Sequence, residues 1–453
     1  MPSYKEYFKG KKITVMRIGL LGRGVGDTAL LAKCGANILV VDNASQKEMQ
    51  LSVDRLKKYK NIRFKFGSYD LKDFRNCDMV LKGAGTPIDS PEIAEAKRNN
   101  VPVEMSASLF VKLAGLKTIG VTGTRGKSTV TQMIAHILKM ARKKFVLGGN
   151  IKGVSNLALL PQAKNAELAL FELDSWQLQG FADNNISPDI SVFTTFLPDH
   201  LNYYDGNMEK YFEDKAAIFK NQKESRVLVV GKQVLPFLKE WQAQKNNGKI
   251  KSQIIVAPTK LPKGFSLAIP GAHNLYNAAM ALEVARTLGV KDSVSKRALK
   301  SFNGVEGRLE LIRKIKGISF YNDTTSTVPD ATIAALKALS DSRFKNQESR
   351  IILIMGGSDK GLDMSPLLKI LERHCKTVIL LSGTGTNLVS PIISKLKIFK
   401  GEFDNLEEVV LAAREEARRG DIVLLSPAFA SFGMFKNEFD RGEQFNKIVK
   451  KLR

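Results

Sequence analysis

Residues 120–131 read GVTGTRGKSTVT. An apolar run, KTIGVTG, leads into them, and a helical pattern, TQMIAHIL, follows. Strand, glycine loop and helix in that order make a phosphate cradle, because the N–H groups at a helix N-terminus face an anion. The usual loop carries a further glycine five residues before the Gly of Gly-Lys-Ser. Val121 stands there, and Arg125 sits inside the loop. Lys127 would reach terminal phosphates as a point charge. Ser128 would offer its hydroxyl to Mg²⁺, and the N–H groups of residues 123–128 would hold phosphate oxygens. The competing reading is a tight turn with a solvated lysine.

Working outward, short runs rich in Val, Ile and Leu alternate with helical patterns. ITVMRIGLLG, ANILVVD, CDMVLKG, LALFELD, DISVFTT, RVLVV, IILIMGG, TVILLSG and DIVLLSP read as buried strands like KTIGVTG. Such alternation predicts an α/β protein with parallel sheets covered by helices. Ligands then bind at the carboxyl ends of strands. The strand endings fall into three groups, which predicts three domains: 1–107, 108–304 and 305–453. The first and last are Rossmann-like, and the central one is a P-loop ATPase domain with a mostly parallel sheet. A chain of 453 residues is too long for one core.

Lys and Arg number 70 against 45 Asp and Glu, a formal net charge of +25. Nucleic-acid binding is one reading. The basic residues are spread along the whole chain without an arginine-aromatic block, so a surface that attracts small anions is preferred. The apolar runs are short and broken by Gly, Arg or Asp, so no membrane span is expected. Cys34, Cys77 and Cys375 lie far apart and are odd in number, which predicts reduced thiols in a cytoplasmic protein.

In the first group, Gly22, Gly24 and Gly26 follow a strand and precede the helical run TALLAKCG, and Asp42 ends the next strand. This is close to a dinucleotide fingerprint, but the spacing is G-x-G-x-G and the third position is Asp27. A nicotinamide dehydrogenase is a competing hypothesis here, as is an ordinary tight turn. In the second group, Glu172 ends LALFE, where a Mg²⁺ ligand would sit beside a phosphate loop. His200 follows DISVFTT, and Lys215 lies in the helical YFEDKAAIF. Asn274 and Asn277 lie one turn apart in GAHNLYNAA, spaced either to read a purine edge or to cap a helix. In the third group, Asp323, Lys360 and Ser431 each follow a strand. Lys360 could bind a carboxylate by charge, with Thr327 and Ser431 hydrogen-bonding it.

TGTRGKST, GGN, FELDSWQL, DHL, YFEDK, GAHNLYNA, GRLE, NDTTST and SPAFASFGMFKN occur in the order seen in Mur ligases. The chain resembles that family along its whole length. The family's short loop, T-G-x-x-G-K-[ST]-[ST], accounts for Val121. The resemblance implies an ATP-dependent ligase adding D-glutamate to UDP-N-acetylmuramoyl-L-alanine through an acyl phosphate, as a cytoplasmic monomer; the competing readings are a related Mur or folylpolyglutamate-type ligase with a different amino acid, and a non-catalytic nucleotide-binding relative. ATP would be held by Gly123, Thr124, Arg125, Gly126, Lys127, Ser128, Thr129, Asn274, Asn277, Arg308 and Asp323. Two Mg²⁺ sites would draw on Ser128, Glu172, His200 and a carbamylated Lys215, with Asn150 near the reacting groups. Gly24, Val25, Gly26, Asp42 and Gly85 would meet the uridine nucleotide. Thr327, Lys360, Ser431 and Phe432 would meet glutamate.

Several residues depart from the family pattern. They are Arg125 in the loop, Asp174 in place of Ser, Asn202 in place of Asp, Gly307 in place of His, Thr325 in place of Lys, Glu438 in place of Phe, Ala84 in place of Pro, and Asp27 in place of Gly.

Overall fold

A computed structural model describes residues 3–19, 22–200, 203–244, 248–340 and 350–453. The chain divides into two compact units, one of residues 1–261 with 276–298 and one of residues 262–275 with 299–453. Asn202 lies outside the described residues.

The first unit holds two parallel sheets. One runs Ile62–Phe66, Asn37–Asp42, Lys12–Met16, Met79–Lys82, Val103–Glu104. The other runs Gln253–Val256, Val227–Val230, Ile190–Phe193, Lys117–Thr122, Leu168–Glu172, Phe145–Gly149. All ten apolar runs named above form strands, because helices cover both faces and every side chain there is rewarded for being apolar. Helix Ser106–Ala114, SASLFVKLA, ties the two sheets together. Phe110 packs 5.2 Å from Phe171, and one apolar core contains Val15 and Leu31 as well as Phe171 and Phe193. The position after residue 107 falls in the first turn of this helix.

The second unit holds a sheet ordered Glu310–Ile315, Ile318–Asn322, Ile422–Leu425, Ile351–Gly356, Thr377–Leu381, Phe399–Phe403. It is parallel except for its first strand, a hairpin partner paired antiparallel to Ile318–Asn322. The α/β class with mostly parallel sheets is therefore as expected. One local reading changes. The helix of the first glycine group begins at Arg23, so Gly24 and Gly26 lie inside its first turns and do not precede it. Gly22, with φ 81, makes the left-handed turn into the helix. A Cβ at Gly24 would stand 2.3 Å from the Ile18 carbonyl oxygen, so the glycine lets helix and strand end approach. No helix among the described residues is long and apolar enough to cross a membrane.

Candidate active site

The glycine loop joins strand Lys117–Thr122 to helix Lys127–Met140. Gly126, with φ 87, is the N-cap and offers no side-chain cap, which leaves the first-turn N–H groups open toward an anion. Gly123 has φ 141, and a Cβ there would lie 2.0 Å from Thr194 Oγ1. The neighbouring strand end staples the loop from one side. Thr124 N donates to Thr195 O at 2.7 Å, Arg125 N to Thr195 Oγ1 at 2.9 Å, and Thr194 Oγ1 to Arg125 O at 2.5 Å. Lys127 Nζ donates to Gly123 O at 2.8 Å and to Thr124 O at 3.2 Å, so the ammonium lies over the loop. Thr129 is buried in the first turn of the helix. The Arg125 guanidinium turns away and pairs with Asp199 at 3.4 Å.

Glu172 ends its strand buried, and Ser128 Oγ donates to Glu172 Oε1 at 2.9 Å. The two expected metal-binding oxygens are thus adjacent at the helix N-terminus. The described residues hold no group of three or more His, Cys, Asp or Glu arranged for a metal ion. One carboxylate and one hydroxyl nonetheless fit Mg²⁺, which is held by few protein oxygens when phosphates supply the rest.

Lys215 lies on helix Met208–Ala216 and is 1% exposed. Its Nζ donates to Gly123 O at 3.3 Å and stands 4.8 Å from the centre of the Tyr211 ring. Burial, then the charge of Lys127, holds its pKa well below the usual lysine range. Burial thus disfavours the ammonium relative to an exposed lysine, and the neutral amine is the form that takes up CO₂ as a carbamate. His200, with φ 53, rests its ring 4.9 Å from Trp176 and 6.2 Å from Tyr211, and burial lowers its pKa. Asp174 caps helix Ser175–Asp183, accepting from Gln177 N at 2.7 Å. Asp and Ser cap helices about equally well, so this departure is conservative in physical terms. Asn277 is buried near Gly126, where a Cβ on the glycine would lie 2.6 Å from Asn277 Oδ1.

A cavity of about 300 Å³ lies at the strand ends of the first sheet. Gly24 and Gly85 line it, together with Arg17, Arg23, Asp27 and Lys82. Val25 is in the apolar core, Gly26 faces Ser155, and Asp42 Oδ1 accepts from Ala44 N at 3.1 Å. Sequence reasoning did not single out Arg23 or Lys82. Lys82 is buried with Nζ 2.6 Å from Thr86 O, and burial lowers its pKa to about 8. A lysine closing an apolar strand, MVLK, was the available signal. Arg23 Nη1 donates to Asn150 Oδ1 at 2.6 Å. Asp27 accepts from Ser155 Oγ at 2.6 Å and Leu157 N at 2.9 Å, and burial raises its pKa to about 6.

In the second unit, Lys360 Nζ donates to Thr327 Oγ1 at 2.9 Å, which brings these two side chains together. The Ser431–Phe432 turn meets the GGSDKG loop through Ser358, whose N donates to Ala430 O at 2.9 Å and whose hydroxyl bonds Phe432 O. Ser431 is buried, whereas Phe432 is 67% exposed. Asp323 is buried and accepts from Leu309 N, Ser326 Oγ and Ser426 Oγ at 3.0, 2.5 and 2.8 Å. Burial raises its pKa to about 6. Arg308 is exposed. Gly307 has φ 68, and a Cβ there would stand 2.9 Å from Thr324 Cγ2, which accounts for a glycine at this position. Thr325 Oγ1 donates to Gly307 O at 2.9 Å. Asn274 Nδ2 donates to Pro270 O at 2.6 Å. Glu438 opens helix Glu438–Lys451, capped by Asn437, where a negative charge is favoured. Arg441, also missed, is fully buried and donates to Thr324 Oγ1 at 3.1 Å, Thr324 O at 3.0 Å and Phe429 O at 3.4 Å. It fastens the NDTT loop to the SPAFA loop. The R-G of the closing KNEFDRG was its signal.

The Mur ligase middle domain matches residues 121–255, and the Mur ligase glutamate ligase domain matches residues 307–429. The UDP-N-acetylmuramoylalanine–D-glutamate ligase of Borreliella afzelii (strain PKo) is 35% identical over 468 residues, covering 99% of each chain. The chain belongs to the Mur ligase family. The enzyme of the same name from Roseiflexus sp. (strain RS-1) is 33% identical, covering 97% of this chain and 98% of its own. Among solved Mur ligases, UDP-N-acetylmuramate-alanine ligase MurC of Thermotoga maritima shares the fold with a TM-score of 0.59 at 18% identity. It covers 97% of this chain and 99% of its own. MurF ligase of Thermotoga maritima, solved in complex with ADP, also gives 0.59 at 19% identity, over 92% and 95%.

Proposed function

We propose that this Mur ligase adds D-glutamate to UDP-N-acetylmuramoyl-L-alanine with ATP, forming ADP and phosphate, in peptidoglycan-precursor synthesis. The observation that carries this reading is the Ser128–Glu172 contact at an uncapped helix N-terminus, with Lys127 over the loop and Lys215 buried beside it. The relatives' names supply the substrates.

A carboxylate is a poor electrophile, so it is first phosphorylated. The alanine carboxylate attacks the γ-phosphate, and the amine of glutamate then attacks the acyl phosphate and expels phosphate. Phosphoryl transfer of this kind needs positioning and charge neutralisation more than covalent help. The N–H groups of residues 123–128 and the Lys127 ammonium would hold the phosphates. Ser128, Glu172, His200 and a carbamylated Lys215 would hold two Mg²⁺ ions, which supply further neutralising charge. Asn277 and Asn274 would meet adenine, and Arg308 and Asp323 would meet ATP. Gly24 and Gly85 would border the uridine nucleotide. Lys360, Thr327, Ser431 and Phe432 would receive glutamate, where the Lys360–Thr327 bond supports the reading. We further read the chain as three domains divided near 107 and 304, and as a monomer. ATP and uridine nucleotides are cytoplasmic metabolites, which supports a cytoplasmic location. Phosphate release assayed with each substrate omitted in turn tests the reading. Release is expected only with both UDP-N-acetylmuramoyl-L-alanine and D-glutamate, and equal release without either would sink it.

A further inference from the structure

Arg23 opens helix Arg23–Lys33, and Asp27 stands one turn later on the same face. Both reach the segment after strand Phe145–Gly149: Arg23 bonds the Asn150 side chain, and Asp27 bonds Ser155 and the Leu157 N–H. Beyond Asn150 the chain of contacts continues. Asn150 N donates to Glu172 O at 2.7 Å. Gly149 fits so closely that a Cβ would lie 2.0 Å from the same Glu172 oxygen. Glu172 in turn accepts from Ser128 in the phosphate loop. An unbroken line of direct contacts therefore leads from Arg23 to the phosphate loop.

Arg23 also borders the cavity that holds Arg17 and Lys82. Three cations around about 300 Å³ suit a dianionic group such as a diphosphate. A guanidinium has five donors in a fixed fork, so it can keep Asn150 and bind a phosphate oxygen at once. Asp27, the carboxylate on this wall, has its Oδ1 committed to Ser155 and Leu157.

We propose that Arg23 is a positioning residue that couples the two nucleotide sites: a diphosphate seated in the cavity fixes its guanidinium, and through Asn150 and Glu172 it orders the phosphate loop for ATP. This rests on the ligase reading only for the identity of the natural diphosphate. Coupling of this kind is reciprocal and usually ~5-fold or more in affinity.

The test is calorimetric binding of a non-hydrolysable ATP analogue with Mg²⁺, with and without saturating UDP. In the wild-type protein UDP is expected to tighten the analogue ~5-fold or more, and UMP, lacking the second phosphate, to do much less. R23Q should remove the tightening while leaving analogue affinity measured without UDP within about 2-fold. R23K, which keeps the charge and stem but not the fork, should retain UDP binding and lose most of the tightening. It also serves if R23Q does not fold. N150A, whatever its own effect on analogue affinity measured without UDP, should also lose the tightening, and the double variant should lose no more of the tightening than either single variant. Equal tightening in wild type and R23K, or none in wild type, overturns the proposal. Neither result depends on turnover. A wild-type protein that couples the sites but releases no phosphate with the proposed substrates would overturn the ligase reading alone.

Discussion

Lys215 and Lys360 both stand near the mouth of a parallel sheet, and their surroundings are opposite. Lys215 is 1% exposed, bonded to Gly123 O beneath the phosphate loop, with its ammonium form disfavoured by burial and by Lys127. Lys360 is exposed on the loop after Ile351–Gly356 and donates to the Thr327 hydroxyl. Burial makes the first amine a chemical group whose charge depends on what it becomes. Exposure leaves the second a solvated cation, whose pull on any carboxylate would be screened by water and so weaker. The phosphate-loop region is thus held by its own buried and backbone contacts. The loops of the second unit are held by backbone contacts and by Arg441; Ser431 is buried among them, whereas Lys360 and Phe432 are left exposed.

The largest expected effect tests the preassembled region. Lys127→Ala removes the ammonium that lies over the loop. Ligation is expected to fall by about 10³-fold or more, the scale seen when one transition-state donor is lost. Uridine-nucleotide binding, measured by calorimetry, should stay within about 2-fold. Loss of that binding would break the division of labour between the phosphate loop and the cavity at the first sheet.

Next in size is Lys215→Ala, expected to cost about 10²-fold in kcat. If the buried amine acts as a carbamate, added short carboxylates should restore part of the activity by supplying the missing anion. The variant also loses a large buried side chain, so its melting curve should be recorded alongside. Full activity without any supplement would remove Lys215 from the metal site.

Lys360→Ala should act on one substrate. Glutamate KM is expected to rise about 10-fold, equivalent to about 1.4 kcal/mol, with kcat and the KM for ATP nearly unchanged. An equal fall in kcat would show that this exposed lysine takes part in the chemistry, and the contrast with Lys215 would then narrow to one of burial alone.

How much of this was legible follows the same line between covered and open. The interior strands, such as Lys117–Thr122 and Ile422–Leu425, declare themselves as continuous apolar runs because both faces are packed. The edge strands do not. Ile62–Phe66, IRFKF, and Phe399–Phe403, FKGEF, alternate with charges because one side meets water, and neither stands out from loop sequence. In the site, Lys127, Ser128 and Glu172 could be read from strand endings, since topology alone brings neighbouring strand ends together. Arg23 and Asn150 could not be paired in this way. They are 127 positions apart, and their contact depends on how helix Arg23–Lys33 docks against the segment after Phe145–Gly149. The burial of Lys215 was equally silent, because a lysine on an amphipathic helix usually faces solvent.

Arg125 gives the smallest effect and the finest discrimination. Its backbone N–H is bonded to Thr195 Oγ1, and its guanidinium, 47% exposed, faces Asp199 at 3.4 Å. An exposed pair of this kind contributes less than about 0.5 kcal/mol, and salt weakens it further. Arg125→Ala should therefore leave the melting temperature nearly unchanged and shift the KM for ATP by less than about 3-fold, a difference that fades as ionic strength rises. Asp199→Ala frees the guanidinium without removing it, so the two variants should differ in sign if the arginine can turn toward phosphate: the first weakening ATP, the second tightening it. A rise of 10-fold or more in Arg125→Ala would place this arginine among the groups that grip ATP, beside Lys127. A small change in both would leave it a solvent-facing side chain on a loop whose grip comes from its backbone.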